Sequence, residues 1–128
     1  MPGSPFVLSP RVAGTADDAS TLTFNPRTAL QRPGLLLLNG LVYAAFGSHG
    51  DDPPYHGFIA AYRYDAAAAS LTQEYAWCSS ADSSARGPAK AAIWQAGQGP
   101  TVDADGNLYV MVANGATTVT AATTSVRR

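Results

Sequence analysis

The chain has 128 residues, of which 46% are hydrophobic and 13% are charged, and its formal net charge at neutral pH is -1. A hydrophobic fraction of this size is typical of a folded domain and excludes an intrinsically disordered protein. The basic residues are scattered and no apolar run approaches roughly 20 residues, so neither nucleic acid nor a membrane is an expected partner.

The low charged fraction favours turn-rich β structure over a helical bundle, because small polar residues take the place of Glu and Lys. The single cysteine, Cys78, permits no internal disulfide and does not indicate the redox compartment. Residues 1–5 have neither a basic region nor a long apolar stretch, so they do not predict a secretory signal.

The N-terminal segment, residues 1–32, is predicted to be irregular. It is rich in Pro, Gly, Ser, Thr and Asp and shows no apolar period of 3.6 residues, which argues against a helix. One short extended piece is expected at 21–24, and Asn25-Pro26 marks a turn after it.

The clearest predicted element is a β-hairpin with Asn39-Gly40 at its turn. Asn-Gly supplies the two positive φ angles of a type I′ turn, and the arms 34–38 and 41–47 are apolar on both faces. Such strands belong in the interior of stacked sheets. Further strands are predicted at 57–64 and 71–77. Four strands joined by short turns form a meander, the unit of one propeller blade.

The hairpin pattern returns once, 66 residues later, where Asp105-Gly106 aligns with Asn39-Gly40. The alignment places Leu35, Leu36, Val42, Tyr43 and Ala44 over Thr101, Val102, Leu108, Tyr109 and Val110. Because ordinary blades recur at about 40 to 50 residues, the long period implies insertions. The predicted fold is therefore all-β, a partial β-propeller of about one and a half four-stranded antiparallel blades. Its segments are the blade 33–77, the insertion loop 78–98, the half blade 99–115 and a low-complexity tail, 116–128.

Several motifs in these segments together resemble bacterial propeller proteins of the pyrroloquinoline-quinone-like, or quinoprotein-like, class. The motifs are Phe24-Asn25-Pro26, the stretch from Gln31 to Asp51, Pro54 to Phe58, Ile93 to Gly97 and Val102 to Val110. The resemblance implies a seven- or eight-bladed ring in an exported protein, periplasmic or extracellular. Here the second blade is cut short, and Phe58 stands where the family more often has Trp. Quinone dehydrogenases build their cofactor site from many blades, so no cofactor contact is carried over.

Five residues are candidates for ligand contact. His49, Asp51 and His56 combine nitrogen and oxygen donors that suit a divalent metal, but turn and backbone-bonding roles in a Gly-Pro loop explain them better, so no metal is predicted. Trp94 and Gln95 precede the second blade. There an indole and an amide would suit a sugar or a planar quinone, and packing between blades explains the Trp equally well.

Two further motifs are interpreted as structural. Asp103-x-Asp105-Gly106-Asn107 begins like a calcium loop, but Asn114 stands at the twelfth position in place of Glu, so a β-turn is preferred. Cys78 follows His56 by 22 residues, and nothing else in the sequence suggests a thiol enzyme. No catalytic constellation is predicted in this chain.

Three functional hypotheses follow. The first is a non-catalytic fragment of a quinoprotein-like propeller, serving as a binding or scaffold module, whose partners are the missing blades or further copies of itself. The second is part of a quinone-dependent alcohol or sugar dehydrogenase, in which pyrroloquinoline quinone and calcium would belong to the parent protein. The third is a blade module that assembles with itself through open sheet edges.

Overall fold

The chain forms an all-β structure of short antiparallel strands, as a computed structural model that describes residues 5–82 and 90–115 shows. None of the sheets in this part of the chain is closed. The strands are β1 Arg11–Ala13, β2 Thr21–Thr23, β3 Ala29–Leu30, β4 Leu36–Leu38, β5 Leu41–Ser48, β6 Phe58–Asp65, β7 Ser70–Cys78, β8 Ala92–Ile93, β9 Thr101–Val102, β10 Leu108–Tyr109 and β11 Val112–Ala113. A single 3-10 turn, Ala16–Asp18, lies between β1 and β2. The predicted tail, 116–128, lies outside the described residues.

The central sheet contains the predicted meander, because β4, β5, β6 and β7 pair in chain order. Leu38 pairs with Leu41 across Asn39 and Gly40, whose φ angles are 51° and 75°. These angles identify the two-residue type I′ turn, and the predicted hairpin is confirmed. The short β3 adds to β5 through Ala29 and Ser48, which makes the sheet five-stranded.

The N-terminal segment is more ordered than predicted. The extended piece expected at 21–24 is found as β2, Thr21–Thr23. The segment also contains β1, which pairs with β2 to form a hairpin, and the short β3. Val12 and Leu22 are cross-strand partners in that hairpin and turn toward the central sheet. This hairpin could not be predicted from the sequence, because a strand of three residues shows too little alternation of apolar and polar residues to be recognised.

A second motif repeats the connections of the first. In the first motif β5 pairs with β4 through residues 41–43 and with β3 through residues 47–48. In the second, β10 pairs with β9 and the following β11 pairs with β8. The equivalence therefore extends back to β8, which lies inside the segment predicted to be an insertion loop.

The two motifs and the N-terminal hairpin form layers. Phe24 from the end of β2 packs on Phe46 and Phe58 of the central sheet, with ring centroids 4.6 and 5.6 Å apart. On the opposite face, Ile93 of β8 is fully buried against Tyr43 and neighbouring residues of β5 and β6.

Residues 43–48 are therefore buried on both faces, as predicted for a strand in the interior of stacked sheets. The prediction is wrong for the other arm of the hairpin, where Leu35 and Leu37 are 63% and 72% exposed. The N-terminal hairpin supplies one of the two layers that cover β5.

Candidate functional site

The loop between β5 and β6 carries the ligand-contact candidates His49, Asp51 and His56, whose side chains have different surroundings. His49 is exposed, and its backbone N–H donates to the carbonyl oxygen of Thr28 at 2.7 Å. Asp51 accepts hydrogen bonds from the hydroxyl of Tyr55 at 3.1 Å and from the amide nitrogen of Asn114 at 3.0 Å. His56 turns to other partners. Within the described residues no group of three or more His, Cys, Asp or Glu side chains could hold a metal.

His56 joins the N-terminal layer to the end of β7. Its Nε2 lies 2.8 Å from Oδ2 of Asp17, and its Nδ1 lies 2.7 Å from Oγ of Ser80. The imidazole side chain is only 9% exposed, while Asp17 sits in the 3-10 turn with a φ of 55°. A nearby bond from Ala16 N–H to the carbonyl oxygen of Ala81, 2.9 Å long, ties the same two segments. The side chains of Asp17, His56 and Ser80, here called the clasp, therefore join the N-terminal layer to the central sheet.

The clasp has the residue types of a nucleophilic triad but not the accessibility. Ser80 is 6% exposed and Cys78 is 4% exposed, so a substrate could not reach either side chain. Burial raises the pKa of the Cys78 thiol to about 11. Hydrogen bonds from Ser80 lower this pKa, but by less than burial raises it. A thiol protonated at neutral pH is a poor nucleophile. The geometry therefore supports a structural role.

Trp94 lies at the junction of the two motifs. A Cβ on Gly47 would lie 3.5 Å from the Trp94 ring, so the ring packs close to the Gly47 backbone. The guanidinium carbon of Arg32 lies 5.4 Å from the ring centroid. The loops that carry these residues also touch, since Gly34 N–H donates to the carbonyl oxygen of Gln98 at 3.0 Å. Within the part of the chain that the structure describes, the indole Nε1 is buried and has no hydrogen-bond partner. The packing interpretation of Trp94 accounts for each of these contacts except the unpartnered nitrogen.

Gln95 and Asp103 hold the second motif together internally. The side-chain oxygen of Gln95 accepts a hydrogen bond from Met111 N–H at 3.0 Å. Asp103 accepts from the backbone of Asn107 at 2.9 Å, from its side chain at 2.8 Å and from the hydroxyl of Tyr109 at 2.7 Å. The Asn107 amide, with the other donors, lowers the pKa of Asp103 to about 2. Both carboxylate oxygens serve the turn, which supports the β-turn interpretation.

The partners of His56 were missed from the sequence. Asp17 and Ser80 lie 39 and 24 residues from it, so no motif spacing joins them. A positive φ at Asp17 carries no sequence signal either, although Asp adopts this conformation more readily than most residues. Only the docking of the N-terminal hairpin on the end of β7 brings the three residues together.

Comparison with known proteins gives no family assignment. No protein-family model matches the chain, and neither a curated protein nor a solved structure matches it. No helix in the described residues is long and apolar enough to cross a membrane. The resemblance to quinoprotein-like propellers stays a prediction, and the interpretation of function rests on the geometry of the layers.

Proposed function

We propose that this chain is a non-catalytic scaffold or binding module of a quinoprotein-like β-propeller, in which blade-like sheets stack face to face. The observation that carries the proposal is a strand-pairing pattern that occurs twice. In the first motif β5 pairs with both β4 and β3, and in the second β10 pairs with β9 while the following β11 pairs with β8. Units that cannot bury an apolar face alone gain stability by stacking on a neighbour of the same kind. Propeller blades are units of this sort.

Small residues allow the two motifs to approach closely. A Cβ on Gly47 would lie 2.7 Å from the carbonyl oxygen of Ile93, and one on Gly57 would lie 2.5 Å from that of Ala91. The backbone of β8 therefore rests directly on the central sheet, and Ile93 fills the space beside it. Glycine in a strand often marks a place where another backbone approaches closely, which supports direct packing of β8 on the central sheet.

The stacking proposal predicts that Ile93→Ala loosens the second motif selectively. Loss of a fully buried Ile side chain should lower the free energy of unfolding by about 2 to 5 kcal/mol. Amide hydrogen exchange should then accelerate in β8 to β11 while β5 to β7 stay protected. The matched control is Val112→Ala, the cross-strand partner of Ile93, which is 40% exposed and should change little.

Two results would count against the proposal. Unchanged exchange in β8 to β11 would show that Ile93 does not hold the motifs together. Equal acceleration in every strand would show one indivisible sheet assembly and no stacked units.

The enzyme alternative is separated by a second assay. Dye-linked oxidation of alcohols and sugars, with pyrroloquinoline quinone and calcium added to the purified protein, should give no turnover above the quinone alone. Turnover that depends on the protein would favour the dehydrogenase hypothesis, with Trp94 as the first residue to test.

A further inference from the structure

An Asn-Gly pair, Asn114-Gly115, directly follows the last strand of the second motif, β11. Both residues are exposed to solvent. We infer that Asn114 is a site of spontaneous deamidation, and that this modification breaks a contact between the second motif and the loop that joins β5 to β6. The inference concerns a covalent change of the chain and goes beyond the proposed scaffold role.

The reaction needs only the two residues and water. The backbone nitrogen of Gly115 attacks Cγ of Asn114 and gives its proton to the solvent, a succinimide ring closes, and the Cγ–Nδ2 bond breaks to release ammonia. Water then adds to either ring carbonyl and opens the ring, which leaves an aspartate or an isoaspartate. No electron is transferred, and the net change replaces an amide by a carboxylate. Because Gly115 has no Cβ to crowd its nitrogen, ring closure is faster there than before a residue with a side chain.

The other asparagines are less suited to this reaction. Asn39 also precedes a glycine, but it lies in the type I′ turn between the paired strands β4 and β5, so the backbone rotation that closes the ring would open the hairpin. Asn25 precedes a proline, whose nitrogen has no proton to lose, and Asn107 precedes a leucine. Among the described residues the pairing of β11 ends at Ala113, so the backbone of Asn114 is restrained on one side only.

The amide of Asn114 links the second motif to the loop between β5 and β6. Its Nδ2 donates to Oδ1 of Asp51 at 3.0 Å, and the hydroxyl of Tyr55 donates to the same oxygen at 3.1 Å. Tyr55 is only 2% exposed, so Asp51 joins a buried ring of the loop to the end of β11. Deamidation removes the Asn114 donor and places a second carboxylate beside Asp51, and like charges at this distance repel each other. An attractive contact thereby becomes a repulsive one.

The site is tested by ageing the purified full chain in mildly alkaline buffer and following its peptides by tandem mass spectrometry. Asn114 should convert several-fold faster than Asn39, while Asn25 and Asn107 persist. The matched variant is Gly115→Ala, in which the added methyl group should slow conversion at Asn114 and leave the rate at Asn39 unchanged. Absence of conversion at Asn114, or conversion at Asn39 that is equally fast, would overturn the inference.

The consequence is tested with Asn114→Asp, which carries the charge of the product from the start. Amide exchange should accelerate in β11 and in the loop 49–57 while β6 and β7 stay protected. Asn114→Ala loses the hydrogen bond without adding a charge and should accelerate exchange less.

A double variant, Asn114→Asp with Asp51→Asn, separates the charge effect from simple loss of packing. It keeps one carboxylate and one amide with their positions exchanged, and the side-chain oxygen at position 51 can still accept from Tyr55. Protection should therefore return toward that of the wild type. Wild-type exchange in Asn114→Asp would overturn the proposed effect of the modification, as would a double variant that exchanges as fast as Asn114→Asp alone.

Discussion

At the scale of single residues, polar side chains fix the junctions that the short strands cannot. Asp103 satisfies the five-residue turn of the second hairpin, and His56 connects the N-terminal layer to the end of β7. Asp103 accepts its hydrogen bonds as a carboxylate, and such bonds weaken when the group is protonated. Its effect should therefore be visible in the pH dependence of local stability.

We expect the β9–β10 hairpin to open as the pH falls from about 3.8 toward 2, the ordinary and folded-state pKa values of Asp103. Because folding depresses this pKa, the stabilisation is complete above the unfolded value and is lost as the pH falls through the folded one. An NMR titration of the Asp103 carboxyl, with amide exchange at Tyr109, measures both.

The control for this titration is Asp103→Asn, which cannot ionise. The variant should remove the acid-dependent opening of the hairpin while leaving the rest of the chain unchanged. A carboxyl that titrates near 3.8 in the folded protein would contradict the hydrogen-bond network described for the turn.

At the scale of elements, the Asn39-Gly40 turn sets the register of the central hairpin. Gly40→Val should lower the free energy of unfolding by roughly 1 to 3 kcal/mol, since its φ of 75° is unfavourable for a β-branched residue. Space is not the obstacle, because a Cβ there meets only the Arg63 side chain, at 3.5 Å. Urea denaturation measures the change.

Asn39→Gly is the matched control for that turn. It keeps two residues that tolerate positive φ, so the midpoint of unfolding should change little. An unchanged midpoint for Gly40→Val would contradict the role of the turn in setting the register.

The sequence predicted the long elements well and the short ones poorly. Strands β5 to β7 have eight or nine residues, enough for apolar runs and turn residues to define them. The repeat also predicted strand β10 correctly, but the turn before β10 is longer than the Asn39-Gly40 turn with which it was aligned. Asp103 to Asn107 form a five-residue connection, so Val102 pairs with Leu108, whereas its counterpart Leu36 pairs with Tyr43. That one-residue slip turns Val102 to the other face, and a sequence alignment cannot show it.

The candidate site shows the same limit. The sequence left Trp94 open between ligand contact and packing between blades, and its ring lies beside Gly47 and Arg32 of the first motif. The bonds of His56 to Asp17 and Ser80 depend on how three separate segments dock. Contacts that arise only from docking leave no local pattern.

At the scale of the whole molecule, burial depends on what stacks on each layer. The aligned residues Tyr43 and Tyr109 have the same identity and opposite exposure, because among the described residues only Tyr43 has a further layer above it. The N-terminal hairpin covers the other face of the central sheet and presents Arg11, Thr21 and Thr23 to solvent. A polar outer layer of this kind terminates a stack of sheets.

Removing this polar layer should therefore expose apolar surface of the central sheet. Leu22 is 4% exposed and anchors the N-terminal hairpin beside Phe24, Phe46 and Phe58. Leu22→Ser should release β1 and β2, because a small polar side chain loses the apolar contacts and its hydroxyl has no apparent partner there. The apolar residues beneath the hairpin would then be exposed, and light scattering should detect self-association beyond that of the wild type, increasing with concentration. Thr21→Ser, a change at an exposed position of the same strand, should keep the wild-type size. A Leu22→Ser protein that loses amide protection in β1 and β2 yet has the wild-type mass at every concentration would show that the hairpin does not cap the stack.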